Sequence, residues 1–207
     1  SMNDNFQQVS TGVELLRGDI EKITLDYKIG FINSGLVNPY YAGPYDYNSD
    51  SIDFLLAPYA LGADWYERAF QSMYEFVTNT PEGTAFFRDD ADKLIIFVSD
   101  EDEQGSIPAN IFHDWLVEKF KFVQHDVVAI VQIENGECPL NWEYDMGQKY
   151  IDLVAYYGKV GIDICSDWEA WLADSTFLVG ELDYINLSQT PLEDSLVVYR
   201  NSLETEL

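Results

Sequence analysis

The sequence predicts an α/β fold: a doubly wound, mostly parallel central sheet flanked by helices, with a short β appendage at the C-terminus. Two observations carry this. Leu94–Val98 is an unbroken apolar run and 126–133 is nearly one, the pattern of strands buried on both faces of a parallel sheet. Strand-like and helix-like segments also alternate from residue 3 to about 178, the mark of βαβ units. The expected division is one α/β domain over 1–180 and the start of an appendage or linker over 181–207.

Residues 3–22 read as a helix. Phe6, Val9, Val13, Leu16 and Ile20 form one apolar stripe, Asn3 or Asp4 can cap its start, and Gly12 and Gly18 weaken it. Leu25 to Asn33 is the next strand, with Tyr27, Ile29 and Phe31 on one face. The stretch 34–60 reads as long and irregular. Its tyrosines, Tyr40, Tyr41, Tyr45 and Tyr47, suit either a contact surface for sugar or protein or the pinning of the loop to its own domain. Asp46, Asn48 and Asp50 imitate the first positions of a calcium loop, but Ser51 replaces the turn glycine and Ala57 the closing glutamate.

A second helix is expected over 63–78, with Tyr66, Phe70, Met73 and Val77 on its buried stripe and Thr80 to Gly83 ending it. After the 93–99 strand, Pro108 opens another helix carrying Phe112, Leu116 and Phe120, with His113 as a structural imidazole beside that face. Beyond the 126–133 strand come a helix over 147–157, a short extended piece over 159–165 and a helix from 167 to about 178, the last opened by a capping box at Ser166–Glu169. Tyr184–Leu187 and Ser195–Tyr199 look like strands of the appendage.

The stretch 93–105 organises the rest. Its strand stops at Ser99 and is followed by four acids, Asp100, Glu101, Asp102 and Glu103. Ligands of open α/β sheets sit beyond the carboxyl ends of strands, so Asp100 and Asp102 are candidate ligands for a divalent cation, Mg2+ or Ca2+. A solvated acidic turn is the plainer reading.

Net charge is −26, from 37 acids against 11 bases, which argues against a nucleic-acid partner because phosphate neutralisation needs clustered Lys and Arg. No apolar run approaches the ~20 residues that cross a bilayer, so no membrane insertion is expected, and Ser1 to Gly12 is too polar for a signal peptide. Cys138 and Cys165 are the two cysteines, and either a single disulfide or two buried thiols fits them.

Phe86-Phe-Arg-Asp-Asp-Ala-Asp-Lys-Leu-Ile-Ile-Phe-Val-Ser-Asp-Glu-Asp-Glu-Gln104 resembles the von Willebrand factor type A domain, in its bacterial secreted branch, where such a phrase leads into the fourth strand. Asp26 to Asn33 looks like the family's second strand. Tyr150 to Ala155 with Asp163 to Trp168 looks like its last helix pair and intervening loop.

The resemblance implies a metal-ion-dependent adhesion site built from an Asp-x-Ser-x-Ser sequence after the first strand, a threonine from a second loop and an aspartate after the fourth strand. Asp100 matches the last element, and Ser1 before Met2 matches the end of the first. The first strand with most of its Asp-x-Ser-x-Ser element is absent, and no threonine stands in Tyr59 to Ala63. A sheet without its central strand exposes backbone groups and apolar helix faces, so a strand donated by another segment or chain is expected, with Ser195–Tyr199 a candidate. The resemblance also implies a Cys138–Cys165 disulfide and an extracellular, cell-surface or periplasmic location.

The function expected is therefore an extracellular or surface binding and adhesion module for a protein or glycan, with a divalent cation at the acidic loop. The alternative is a structural or assembly protein whose metal site is vestigial. No Gly-x-Ser-x-Gly, His-Glu-x-x-His, phosphate loop or dinucleotide fingerprint occurs, so no enzyme activity is expected.

Overall fold

The computed structural model describes residues 5–35, 41–62, 66–134, 136–137, 143–172, 197–200 and 203–206. Its centre is a three-stranded parallel sheet flanked by helices. β3 (Lys93–Ser99) pairs with β4 (His125–Val131) in register from Lys93↔His125 to Ser99↔Val131. β4 pairs in turn with β7 (Ile162–Asp163). Successive strand residues point to opposite faces, and the core divides accordingly. Ile95, Phe97, Val127, Ala129 and Val131 pack against α3 (Ala69–Asn79), α5 (Ala109–Lys119) and α6 (Gln148–Ala155). Val128 and Ile130, with Leu94, Ile96 and Val98, pack against α1 (Phe6–Ile23) and α7 (Trp168–Leu172). The β4 run is thus buried on both faces, whereas that of β3 is buried on the face of Ile95 and Phe97 and half-buried on the face of Leu94, Ile96 and Val98.

Helix α1 continues through Gly12 and Gly18. At Gly12 the reason is close approach: a Cβ there would stand 2.9 Å from Leu172 Cδ1 and Trp168 Cζ3, on side chains that are almost fully buried. Gly12→Ala is expected to lose about 1 kcal/mol net in a urea melt, because overpacking outweighs the gain in helix propensity. A more stable variant would show that α7 shifts freely. Asn3 and Asp4 lie outside the described residues, and the N-cap position falls to Asn5, which makes no side-chain cap.

The stretch 34–60 is more regular than its composition suggests. β2 (Tyr41–Tyr45) pairs antiparallel with β1 (Ile29–Ile32), and α2 (Ser51–Leu61) follows. Asp50 starts α2 by accepting from the Ile52 N–H at 2.7 Å. Asp46 Oδ1 accepts from Asn48 N–H at 2.9 Å, so the apparent calcium-loop acids close a turn and cap a helix.

Helix α3 ends at Thr80, whose hydroxyl accepts from Gly83 N–H and starts the short α4 (Pro81–Phe86). β5 (Gly136–Glu137) and β6 (Glu143–Tyr144) form a small hairpin. At the C-terminus, β8 (Val197–Arg200) pairs antiparallel with β9 (Leu203–Glu206). Of the Ser195–Tyr199 segment, the described residues Val197–Tyr199 pair with β9 and not with β3, and Ser195 and Leu196 lie outside the described residues. Tyr184–Leu187 and the boundary near 180 lie outside the described residues. No helix among the described residues is long and apolar enough to cross a membrane.

Candidate functional site at the end of β3

The four acids after β3 do not act as one cluster. Glu103, 2% exposed, turns inward: its Oε2 accepts from Phe70 N–H at 2.9 Å and its Oε1 from Gly105 N–H at 2.7 Å. Phe70 is in the first turn of α3, whose own N-cap Arg68 makes no side-chain cap, so Glu103 supplies the missing acceptor from a distant loop. The Tyr150 hydroxyl approaches the same Oε2 at 3.3 Å. Burial pushes this carboxyl up, against the pull of those hydrogen bonds.

Asp102, predicted as a metal ligand, accepts from Lys149 N–H at 2.9 Å in the first turn of α6. Lys149 Nζ donates to the Gly105 carbonyl at 2.9 Å and ties the same two elements again. Glu101, partly exposed, takes the Gln104 side-chain amide at 2.5 Å.

Asp100 is fully buried, and its companion is a residue the acidic run does not contain: Glu67, 4% exposed, in the loop leading into α3. Gln104 N–H donates to the Glu67 carbonyl at 2.7 Å and holds this loop over the end of β3. The Ser99 hydroxyl hydrogen-bonds to Glu67 Oε2. Burial pushes the Glu67 carboxyl up to about 8; Ser99 opposes the shift and Asp100 adds to it. No periodicity marks Glu67 in the sequence. The signal that points to it is an acid two residues before a helix, where negative charge suits the N-terminal dipole.

Two carboxylates and one hydroxyl thus meet at the carboxyl end of β3, a hard-oxygen donor set that suits Mg2+ or Ca2+. Among the described residues no group of three or more Asp, Glu, His or Cys side chains gathers in this way. Ser1 lies outside the described residues.

Of the candidate contact tyrosines, Tyr40 is outside the described residues. Tyr41 packs against Phe76 and Phe86 with ring centroids 4.7 and 5.9 Å away, and Tyr45 packs against Phe31 and Phe54. Both pin β2 to the domain. Tyr47 is 50% exposed and open to solvent. His113 stacks on Tyr156, consistent with a structural imidazole. Cys165 Sγ lies 3.5 Å from Gln132 Oε1, and Cys138 is outside the described residues.

No family model, no curated protein and no solved structure matches the chain.

Proposed function

We propose that the chain is a binding module of the von Willebrand factor A type, doubly wound, that holds a divalent cation between Glu67, Ser99 and Asp100 and engages a protein or glycan at that end of the sheet. The observation that supports this is the pair of buried carboxylates, one of them hydrogen-bonded to a strand-end hydroxyl, where α/β sheets place their ligands. In this reading Glu67 provides the second-loop ligand that the family's threonine provides elsewhere. The bound ion polarises an incoming carboxylate or hydroxyl, while Asp102 and Glu103 hold the surrounding loop to α6 and α3. The Cys138–Cys165 disulfide, the surface or periplasmic setting and the C-terminal β appendage belong to the same proposal.

The test is a thermal melt of chelator-stripped protein with Mg2+, Ca2+ or Mn2+ returned at constant ionic strength. Binding to the native state alone raises stability by RT ln(1 + [L]/Kd), so saturation is expected to shift Tm by several degrees, about 2.7 kcal/mol at a hundredfold excess over Kd. Asp100→Ala is expected to abolish the shift. No shift at millimolar metal would reject the cation site and favour an assembly role. A shift that survives Asp100→Ala would place the ion elsewhere.

A further inference from the structure

Helix α2 carries apolar side chains on two sides. Phe54, Ala57 and Pro58 are buried in the domain. Ile52, Leu56 and Tyr59, four and three residues apart and therefore on one stripe, stand 66, 53 and 47% exposed. Single exposed apolar residues are ordinary, but three in line over about 10 Å of one helix form a continuous surface. Helix α1 lies antiparallel beside α2. The Phe6 ring meets Tyr59 at 5.6 Å, Ser10 Oγ donates to the Leu55 carbonyl at 2.8 Å, and Arg17 Nη2 donates to the Ser49 carbonyl at 3.1 Å. The stripe is thus the outer face of a helix pair, left in water.

The charge around it has one sign. No Lys or Arg occurs between Lys28 and Arg68. Asp53 follows Ile52 and is exposed, as are Asp46 and Asp50 in the turn that opens α2. On the α1 side Arg17 is 6% exposed and already faced by Glu14 at 3.9 Å and Glu21 at 3.1 Å. This pattern selects the occupant. A helix that rests on a lipid surface flanks its apolar stripe with Lys and Arg, the reverse of what stands here. A second copy would bring the same acids against these, in a chain of net charge −26. A helix with apolar residues at i, i+3 or i+4 and i+7, and Lys or Arg beside them, complements both the stripe and the acids.

We propose that the outer face of α2 is a docking site for a basic amphipathic helix of another protein. Ile52, Leu56 and Tyr59 are the apolar anchors, and Asp50 and Asp53 face the partner's Lys and Arg. None of these residues belongs to the donor set of Glu67, Ser99 and Asp100, so docking does not depend on a bound ion.

The probe is an amidated peptide of Leu and Lys, about five helical turns long, with leucine confined to one stripe. One control has the same composition with the leucines scattered, and another has Glu in place of Lys. Binding of labelled peptide to the 207-residue chain is read by fluorescence anisotropy. It is run in chelator at about 0.15 M salt, so the outcome stands apart from the cation site. The amphipathic basic peptide is expected to bind about tenfold tighter than either control. Ile52→Ser combined with Leu56→Ser, at exposed positions and with the melt unchanged, is expected to bring it down to the level of the scattered peptide. Asp53→Asn is expected to weaken it about threefold and to reduce its salt dependence. Equal binding of the two basic peptides, or binding that survives the paired serine substitution, overturns the proposal, because either reports only a polycation on an acidic chain. Equal binding of the Glu peptide, a dimer of the free chain that the serine substitutions dissociate, or partition onto phosphatidylcholine vesicles through Ile52 and Leu56 overturns the assignment of a basic helix as occupant.

Discussion

In metal-free buffer, Glu67→Gln is expected to melt above the wild-type chain at pH 8 and level with it near pH 4. Burial pushes the Glu67 carboxyl up to about 8, whereas glutamate in an unfolded chain gives up its proton near 4.3 on the order of ordinary peptides. Below that lower value both states hold the proton and the group adds no pH dependence. Between the two values the unfolded chain ionises while the folded chain keeps its proton, so stability falls as pH rises and levels off above about 8. The full gap between the two values corresponds to about 5 kcal/mol, or ~10–20 °C for a chain of this size. Glutamine stays neutral throughout and still offers an acceptor to Ser99, so it escapes the loss. The difference between the two melting curves across pH 4 to 8.5 isolates this residue from the other acids. A constant difference would mean that Glu67 ionises freely in the fold. Because a cation needs Glu67 ionised, Mg2+ stabilisation is expected to strengthen as pH rises in the wild type and to be lost in Glu67→Gln.

The parts of the fold legible in the sequence are those fixed by local pattern. β3 and β4 read directly because Leu94–Val98 and Val127–Val131 are apolar at every position, and α1 and α6 read from their stripes; α3 read from Phe70, Met73 and Val77, but it starts at Ala69, and Tyr66, expected on the same stripe, lies ahead of the helix and is exposed. β2 did not, because Gly43-Pro44 in its middle has the form of a turn; a strand that pairs on one side only tolerates a proline, and among the described residues β2 pairs only with β1. α2 was hidden for a different reason. Ile52, Leu56 and Tyr59 are exposed while Phe54 and Ala57 are buried, so its apolar residues surround the helix and no stripe shows, and Pro58 adds a misleading break.

At the candidate site, the spacing of Asp100 to Glu103 gave the position of the loop but not the direction of each side chain. Those directions are set by the uncapped first turns of α3 and α6, which take Glu103 and Asp102. Glu67 is one acid among 37, and only the folding of its loop over the end of β3 distinguishes it.

Phe70→Ala is expected to give the largest loss of stability, about 3–5 kcal/mol in urea denaturation. The Phe70 ring is fully buried where α3, α5, α6 and β3 converge. It stacks on Phe112 at 4.5 Å and meets Phe97 and Tyr150 edge-on at 5.4 and 5.2 Å. Truncation removes the centre of this aromatic group, and rigid rings anchored on four separate elements cannot collapse far into the space. The same residue's N–H is held by Glu103, and Tyr150 reaches that carboxylate as well. The substitution therefore loosens the loop that carries Asp100, so Mg2+ stabilisation is expected to fall along with basal stability. Phe120→Ala supplies the contrast: it is also buried, but it packs against Phe87 and beneath Lys93 at the opposite end of β3. Its loss is expected to lower basal stability and leave the Mg2+ shift intact. Equal effects of the two substitutions on the shift would uncouple Glu103 from the cation site, and a Phe70→Ala loss below ~1 kcal/mol would show that the aromatic group repacks.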